Sequence, residues 1–378
     1  MSATFTATLA DEKEDVVYYH SGATPTYRKV ATDHSRQGNF TSIPVIDLSN
    51  VDSPDLDDRK AIAGQLYEAC STAGFFYITN HGVSTATQEE SIFATLKRFF
   101  DLPLSTKMTA HLHKNPAIRG YEPPLETQLD PRTSGDLKEA FTIGDCVLDP
   151  DQDYRKKTGH APPAHIKNPQ NIWPSQTPWF REAMYSYYAA IYPLALKVVR
   201  LFALAFDLEE SAFDDIFTFP IWGLRALHYP PLLPHSDPSS PTTGLGAHAD
   251  FSWITLVLQD TVPGLEVLNS NGVWIAAPPR EGTFVCNVGQ YLEKQTNGMF
   301  PGTAHRTVLD SVLLDAGSGA EVDVLECCLR EGEERPEAVR VGELYVRRVL
   351  AARKRHPTSV RLRGVPEGEW RYEVLYGE

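Results

Sequence analysis

The chain has 378 residues, enough to bury a substantial core, and its 49 acidic against 35 basic side chains give a formal net charge of −14. This excess of negative charge disfavours nucleic acids and anionic membrane surfaces as partners. The cysteines include no Cys-x-x-Cys pair, and the N-terminus lacks the basic start and apolar core of a signal peptide. We therefore expect a cytoplasmic protein with no segment long and apolar enough to span a membrane.

The first part of the chain predicts an arm followed by alternating strands and helices. Residues 1–40 are polar and aperiodic, which is typical of a flexible N-terminal arm, so regular structure is expected to begin after them. Residues 41–175 are assigned to an N-terminal extension whose proline-rich stretch 110–175 supplies lid-like loops. The elements predicted before those loops are a strand at 43–49, a helix at 57–74 stopped by Gly74, a strand at 75–82, and an amphipathic helix through Ile92, Leu96, Phe99 and Phe100.

The second part of the chain changes from helical to β texture. A helical pattern covers 178–206, and short apolar runs separated by Pro, Gly and Asn cover 219–326. This texture predicts an antiparallel sandwich or barrel, so 176–326 is assigned to a helix plus a β core. Residues 327–378 are assigned to a C-terminal helix and a tail, and the alternation around Trp370 predicts a hairpin packed on the body.

Two polar residues stand at the start of a segment that otherwise predicts a buried strand, GAHADFSWITLVLQD at 246–260. Alternate residues of a strand project from one face, so His248 and Asp250 point together while Ala249 faces away. An imidazole nitrogen and a carboxylate oxygen placed in this way suit a divalent metal, and a third ligand must come from elsewhere.

His305, in NGMFPGTAHRTVL, is the expected third ligand because it lies in the same β region after an Asn-Gly turn signal. Two histidines and one carboxylate on a rigid sheet match the facial triad of non-haem Fe(II) oxygenases, which leaves metal positions open. The set contains no thiolate, which argues against structural zinc. His111 and His113 have the spacing of His248 and Asp250, but they lie in a lysine-containing, loop-like segment where a solvated surface is expected.

A series of motifs resembles one family, the isopenicillin N synthase-like branch of the 2-oxoglutarate and Fe(II)-dependent oxygenases. Between residues 43 and 356 these motifs are, in order, IPVIDLS, CSTAGFFYITNHGV, FFDLPLSTKM, RGYEPP, LHYPP, GLGAHADFSWITLVLQD, GLEVLNSNGVWIAAPP and CNVGQYLEKQTNGMFPGTAHR. The resemblance implies an α+β, mainly β fold: a double-stranded β-helix, or distorted jelly roll, with flanking helices and an N-terminal α/β extension.

By position, His248, Asp250 and His305 match the family's iron ligands, and Tyr229 in LHYPP matches a tyrosine that contacts the oxoacid in many members. The resemblance implies Fe(II), 2-oxoglutarate and O2 as cofactors. In the family 2-oxoglutarate chelates the iron and is decarboxylated to succinate and CO2 while a C–H bond of the substrate is oxidised. Hydroxylation, desaturation and ring formation are the known outcomes. The expected substrate is a small organic molecule of secondary metabolism, and the chain is expected to act as a monomer.

The chain departs from the family after the distal histidine. Members carry an R-x-S motif whose arginine pairs with the far carboxylate of 2-oxoglutarate, but the stretch here is HRTVLDSVLLDAGSGAEVDVLECCLREGEE, which is several residues shorter. Ser311 is the expected remnant of the serine, and Arg306 is expected to face away from the site. Without a paired cation, 2-oxoglutarate would bind roughly a hundredfold more weakly unless another residue, such as Arg225 or a cation of the tail, replaces the arginine.

Three functions are compatible with this sequence. The first is an active oxygenase with a rebuilt oxoacid anchor or a different cosubstrate, and the intact ligands favour it. The second is a degenerate family member with weak or no catalysis that acts as a binding protein, which the altered strand favours. The third, a zinc-dependent hydrolase with the same ligands, is disfavoured because the sequence shows no general base at a useful spacing. Iron-dependent succinate formation separates the first function from the others.

Overall fold

The structure is a computed structural model, and it describes residues 16–21, 24–29, 39–129, 135–144, 155–156, 159–161, 170–217, 221–230, 244–307, 311–315, 321–329, 332–336, 338–366 and 369–370. The strands are β1 (Val16–Ser21), β2 (Thr24–Lys29), β3 (Val45–Asp47), β4 (Phe75–Thr79), β5 (Gly120–Glu122), β6 (Glu139–Gly144), β7 (Ile221–His228), β8 (Leu245–His248), β9 (Ile254–Val257), β10 (Glu266–Leu268), β11 (Trp274–Ala276), β12 (Phe284–Val288), β13 (His305–Thr307), β14 (Ser311–Asp315), β15 (Glu321–Val322) and β16 (Val339–Arg340). The α-helices are α1 (Leu56–Thr72), α2 (Thr85–Phe100), α3 (Leu104–Lys107), α4 (Pro178–Ala205), α5 (Gln290–Gln295), α6 (Val341–Ala351) and α7 (Pro357–Arg361).

Two sheets form the centre of the fold. The larger has eight strands in the order β3-β4-β12-β9-β14-β7-β6-β5, and the smaller has four in the order β11-β10-β13-β8. From β7 to β14 the chain passes back and forth between these sheets, with β10 and β11 as the one consecutive pair within a sheet. This alternation is the topology of a double-stranded β-helix, so the predicted fold class is confirmed.

The larger sheet is covered on both faces at β4. Alternate residues of β4 face opposite sides: Phe76 and Ile78 pack with the helices, whereas Phe75 and Tyr77 pack with apolar residues that include those of β10 in the smaller sheet. Strands covered on both faces have continuous apolar sequences rather than alternating ones. FFYIT is therefore buried between the helices on one side and the smaller sheet on the other.

The N-terminal extension joins the core through α1. This helix begins after Asp55, whose carboxylate accepts a hydrogen bond from the Asp57 backbone N–H at 3.0 Å. The chain leaves the helix at Gly74, where φ is +67° and an added Cβ would lie 2.3 Å from the Pro301 carbonyl oxygen. β3 and β4 consequently lie parallel on either side of the helical crossover, and the predicted helix stop is confirmed.

Helix α4 packs against α1 and α2 and carries much of the outer hydrophobic core. By length and composition it could cross a membrane, so the expectation that no segment is long and apolar enough was wrong. However, 56% of its most apolar stretch is buried inside the fold. The apolar composition of α4 is that of a helix covered by its own protein.

Two regions expected to lack regular structure contain strands. β1 and β2 pair as an antiparallel hairpin within the predicted arm 1–40, and β1 lies beside β8. β5 and β6 fall within the predicted loops 110–175, where β6 pairs with β7 and extends the larger sheet. Both hairpins were missed because their sequences are short and lie among polar and proline-rich residues. Contact with the core stabilises such segments, through strand pairing for β6 and through proximity to β8 for β1.

The C-terminal segment contains α6 as predicted and a second short helix, α7, at a position where the hairpin was expected to begin. Trp370 is buried in the main core, and its indole N–H donates to the Val365 carbonyl at 3.1 Å. The tail therefore packs on the body at this residue. The remainder of the predicted hairpin, 371–378, lies outside the described residues.

Candidate metal and cosubstrate site

The two histidines of the predicted metal site are direct partners across the smaller sheet. β8 ends at His248, β13 begins at His305, and these two residues face each other in the antiparallel register. Their rings lie 4.4 Å apart, centroid to centroid. Four strands intervene in sequence between β8 and β13, so the pairing depends entirely on the jelly-roll topology.

Each imidazole is held in the tautomer that a metal requires. Nδ1 of His248 lies 3.0 Å from the Gly246 carbonyl oxygen, and Nδ1 of His305 lies 3.1 Å from the Thr303 carbonyl oxygen. A carbonyl accepts only, so Nδ1 carries the proton and donates it, which leaves the Nε2 lone pair free. Second hydrogen bonds of this kind orient metal-binding histidines in proteins.

Asp250 completes the cluster with one oxygen and is fixed by the other. Its Oδ1 lies 3.3 Å from His248 Nε2 and 3.7 Å from His305 Nε2. Its Oδ2 accepts hydrogen bonds from the Thr255 hydroxyl at 2.6 Å and from the Asn287 amide at 2.9 Å. The candidate ligand atoms of the three residues all lie within 4.8 Å of one another, so one divalent cation could contact all three.

The charges of the site match a cation. Burial opposes ionisation of Asp250, but His305, His248 and the Thr255 hydrogen bond lower the pKa of its carboxyl far below the usual range. Burial and the neighbouring His248 lower the pKa of His305 to about 4. At neutral pH the site therefore presents a carboxylate and a neutral His305 imidazole, the protonation states that metal binding requires.

The backbone around Asp250 is held by close packing against the start of α5. The Gln290 N–H donates to the Asp250 carbonyl at 2.8 Å, and the Gly289 N–H donates to the Trp253 carbonyl at 3.1 Å. An added Cβ at Gly289 would lie 1.8 Å from the Ser252 carbonyl oxygen, so only glycine permits this approach. Sequence reasoning missed Gly289, although CNVGQYLEK shows a glycine directly after an apolar strand, a signal of close backbone approach.

The second histidine pair does not lie on a solvated surface as expected. His111 is buried, and together with His113 and Glu126 it forms a second group of possible metal ligands among the described residues. Internal hydrogen bonds explain this group: His113 Nε2 lies 2.5 Å from Glu126 Oε1, and His111 Nδ1 accepts from the His113 backbone N–H at 3.2 Å. Because Nδ1 of His111 accepts, its Nε2 carries the proton and offers no lone pair to a metal.

The two residues predicted to contact the cosubstrate lie on neighbouring strands of the larger sheet. Tyr229 follows β7 directly and packs against a small apolar cluster that contains Leu227 and Leu245, the first residue of β8. Ser311 begins β14, and its backbone partner on β7 is Arg225. Contact of Tyr229 and Ser311 with an oxoacid stays a prediction.

Arg306 is turned away from the site, as the sequence indicated. Its side chain is 44% exposed and pairs with Glu266 at 2.5 Å, on the opposite side of the strand from His305. It also lies over the Trp274 ring, 4.3 Å from the centroid. The arginine adjacent to the distal histidine is therefore committed to the surface and does not replace the missing R-x-S arginine.

Sequence reasoning missed a buried charged cluster around Glu122, the last residue of β5. Both oxygens of Glu122 accept from Arg225, at 3.0 and 3.2 Å, and Oε2 also accepts from Arg353 at 3.0 Å. Lys138, just before β6, bonds the other oxygen. The available signal was a set of charged residues within apolar strand sequences, in RGYEPP, DLKEAF and GLRALHY.

Comparison with known proteins gives one consistent result. The family described as non-haem dioxygenase in morphine synthesis N-terminal matches residues 43–176, and the 2OG-Fe(II) oxygenase superfamily matches residues 222–312. A Metarhizium majus protein named 2-oxoglutarate-Fe(II) type oxidoreductase ppzC is 34% identical, over 87% of this chain and 92% of its own length. A homoarginine-6-hydroxylase of Oryza sativa subsp. japonica is 31% identical, over 82% of this chain and 98% of its own.

Solved structures agree with these relatives. A Neurospora crassa protein crystallised with alpha-KG and thymine superimposes with a TM-score of 0.70 at 25% identity, covering 83% of this chain and 99% of that one. A putative 2OG-Fe(II) oxygenase family protein of Caulobacter crescentus gives a TM-score of 0.66 at 28% identity, covering 82% of this chain and 99% of that one. The chain thus belongs to the 2OG-Fe(II) oxygenase superfamily and is an oxidoreductase of the kind that uses iron and 2-oxoglutarate.

Proposed function

We propose that this chain is a dioxygenase that oxidises a C–H bond of a small organic molecule, with His248, Asp250 and His305 as its iron ligands. The observation that carries the proposal is the orientation of the donor atoms. Both Nδ1 atoms are bonded to backbone carbonyls, and Asp250 Oδ2 is bonded to Thr255 and Asn287. Two Nε2 atoms and one Oδ1 are left to converge on one point, which is the donor set of a facial triad.

The contributions of the chain's own residues follow from this geometry. When bound, Fe(II) would supply open coordination positions at which 2-oxoglutarate and O2 react. Asp250 neutralises part of the metal charge, and its bonds to Thr255 and Asn287 fix the direction of the ligand oxygen. Phe75 packs edge-on against His305 with ring centroids 5.1 Å apart, which excludes water from that side of the site.

The substrate class rests on the relatives. The rice relative is named for hydroxylation of homoarginine, and the Neurospora crassa structure contains thymine, so both names refer to small organic molecules. We propose hydroxylation, desaturation or ring formation on such a molecule in secondary metabolism. The chain would act as a cytoplasmic monomer, and its acidic net charge of −14 supports the prediction of no nucleic-acid or membrane partner.

A second candidate function has one observation in its favour. The sequence between His305 and Arg330 contains a single arginine, Arg306, and its side chain pairs with Glu266 at the surface. A chain that binds iron and a small molecule without turnover would be compatible with this loss. The zinc-dependent hydrolase is less well supported, because a relative of this chain is named as a 2-oxoglutarate-Fe(II) oxidoreductase.

Anaerobic titration tests the proposal. The purified chain is loaded with Fe(II), 2-oxoglutarate is added, and the metal-to-ligand charge-transfer absorbance is followed; O2 is then admitted and succinate is measured. We expect the absorbance band and succinate formation. A band without succinate would support the binding protein, and absence of the band would show that the chain does not chelate the oxoacid on iron.

A further inference from the structure

Arg225 lies on the face of the larger sheet that carries the partners of Asp250. Thr255 of β9 and Gly223 of β7 both pair with residue 313 of β14, so they lie level with each other across that strand. Arg225 is two residues beyond Gly223 and therefore projects from the same face as Thr255. With strands about 4.8 Å apart, β7 lies roughly 10 Å from β9. A chelated five-carbon diacid and an arginine side chain together span that distance.

The backbone partner of Arg225 is Ser311, which the sequence resemblance marks as the expected remnant of the R-x-S serine. In the R-x-S motif the arginine stands two residues before the serine, a position that Leu309 occupies in this sequence and that lies outside the described residues. Arg225 thus lies on the strand adjacent to β14, directly opposite Ser311.

The surroundings of Arg225 carry an excess of positive charge. Three cations, Lys138, Arg225 and Arg353, converge on the single carboxylate of Glu122, whose pKa remains well below its usual range despite burial. Asp136 lies nearby and is the other carboxylate of the group; burial raises its pKa to about 6. Three cations against two carboxylates give the cluster a net positive charge, which the carboxylate of a ligand can neutralise.

The Nε of Arg225 lacks an acceptor among the described residues, whereas each of the three guanidinium nitrogens of Arg353 has one. Nη2 of Arg225 bonds both oxygens of Glu122, but its Nε is buried and has no hydrogen-bond partner among the described residues. In Arg353, Nε and Nη2 donate to Glu122 and Nη1 donates to the Val349 carbonyl. A buried N–H without an acceptor is costly and marks the place where an acceptor is missing.

We propose that Arg225 binds the distal carboxylate of 2-oxoglutarate in this chain, in place of the arginine of R-x-S; the inference rests on the proposed function. A guanidinium keeps its charge when buried and pairs with a carboxylate through two parallel hydrogen bonds. Lys138 is less suited, because burial and Arg225 lower its pKa to about 8 and its ammonium group already bonds Glu122. Arg225 is therefore the residue of β7 that takes the role of the R-x-S arginine.

The test compares two oxoacids on the Fe(II)-loaded, anaerobic protein. 2-Oxoglutarate and 2-oxopentanoate chelate iron through the same 2-oxo acid group, but only the former has a distal carboxylate. Their affinities are measured from the charge-transfer absorbance, which requires no turnover. We expect wild type to prefer 2-oxoglutarate strongly, and Arg225→Gln to weaken 2-oxoglutarate roughly a hundredfold while 2-oxopentanoate is unchanged. Arg225→Lys keeps the positive charge but loses the planar guanidinium. Its affinity for 2-oxoglutarate should lie between those of wild type and Arg225→Gln.

Arg353→Gln is the matched control. It removes another cation from Glu122, but each of the three guanidinium nitrogens of Arg353 already has an acceptor, so the ratio of the two affinities should stay at the wild-type value. A wild-type protein that binds both acids equally, or an Arg225→Gln protein with an unchanged ratio, would overturn the inference while leaving the oxygenase proposal intact. Absence of the band with both acids would instead overturn the proposed function, and the inference with it.

Discussion

His305 is the direct cross-strand partner of His248, and Asp250 Oδ1 lies within 3.7 Å of the Nε2 atoms of both. Each side chain is oriented through an atom that is not a metal donor: Nδ1 in the two histidines and Oδ2 in Asp250. The three donors are thus placed by backbone carbonyls and by the Thr255 and Asn287 side chains before any cation binds. Such preorganisation implies that the ligands act as a unit.

The first prediction concerns these ligands. His248→Ala, Asp250→Ala and His305→Ala should each abolish Fe(II) binding, because each removes one of three donors on one face of the metal. Isothermal titration with Fe(II) under anaerobic conditions measures the loss, and circular dichroism checks the fold. His111→Ala is the control, since that imidazole offers no lone pair to a metal; if it alone removed Fe(II) binding, the assignment would be wrong.

The second prediction concerns the partners of Asp250. Thr255→Val keeps the shape of the side chain but removes the hydroxyl that donates to Asp250 Oδ2 at 2.6 Å. We expect Fe(II) affinity to fall roughly tenfold to a hundredfold, the usual effect of losing such a bond. Thr255→Ser restores the hydroxyl and should restore the affinity. Equal Fe(II) affinity in Thr255→Val and wild type would show that the hydroxyl does not orient the ligand.

The third prediction concerns Gly289. Gly289→Ala places a Cβ against the Ser252 carbonyl, so the turn that follows Asp250 must shift. We expect lower Fe(II) affinity together with a free energy of unfolding reduced by roughly 1 to 3 kcal/mol. Gly64→Ala is the matched control: Gly64 lies within α1 with nothing near the added Cβ, so that variant should gain about 0.5 to 1 kcal/mol. Chemical denaturation of both variants measures the contrast.

The fourth prediction concerns acid stability. His356 is fully buried, and burial lowers its pKa to about 4, although its Nε2 lies 3.2 Å from the Leu112 and Asn115 carbonyls. In the unfolded chain a histidine has a pKa of about 6.5, so between pH 6.5 and 4 the unfolded state binds more protons. Stability must therefore rise with pH across this window and be lost on acidification, by about 2 to 4 kcal/mol from this group.

Urea denaturation of the metal-free protein at pH 7 and pH 4.5 measures the effect. Other groups also titrate in this range, so the comparison is with His356→Gln, which cannot titrate at this position. Its free energy of unfolding is expected to be lower than that of wild type at pH 7, but to change less on acidification. Parallel pH dependence of the two proteins would contradict the prediction.

The fifth prediction concerns the tail. Truncation after His356 removes α7 and the buried Trp370, so it should lower the melting temperature. Trp370→Ala alone should cost about 3 kcal/mol, the usual cost of a large cavity in a core. Val360→Ala, in an exposed side chain of α7, should change the melting temperature little. A melting temperature unaffected by truncation would mean that the tail does not support the fold.

Much of the fold, and the residues that come together as the candidate metal site, could be predicted from the sequence. Helix α1 and strand β4 were predicted from apolar periodicity, because burial on one helical face or on both faces of a strand imposes a repeat that local sequence must satisfy. His248 and Asp250 were predicted together because alternate residues of one strand share a face. The chain order of apolar runs and turn residues was enough to indicate the β core.

Other features depend on contacts between segments distant in sequence. The partnership of His305 with His248 requires β13 to return beside β8, and no local pattern specifies which strands pair. β5 and β6 are stable as strands because β7 supplies the edge to which they add. The same limit applies to Gly289, whose role depends on how closely the backbone at Ser252 approaches it.

The missing arginine separates what the sequence alone determined from what required the tertiary structure. The sequence alone determined that no R-x-S motif follows His305, because a motif is a statement about neighbours along the chain. Only the tertiary structure brought Arg225, Glu122 and Arg353 together in one buried cluster, because side chains from β7, β5 and the segment after α6 converge across the fold. Charge burial is decided by the whole surrounding shell of atoms, so the residue that compensates a loss can lie far from it in sequence.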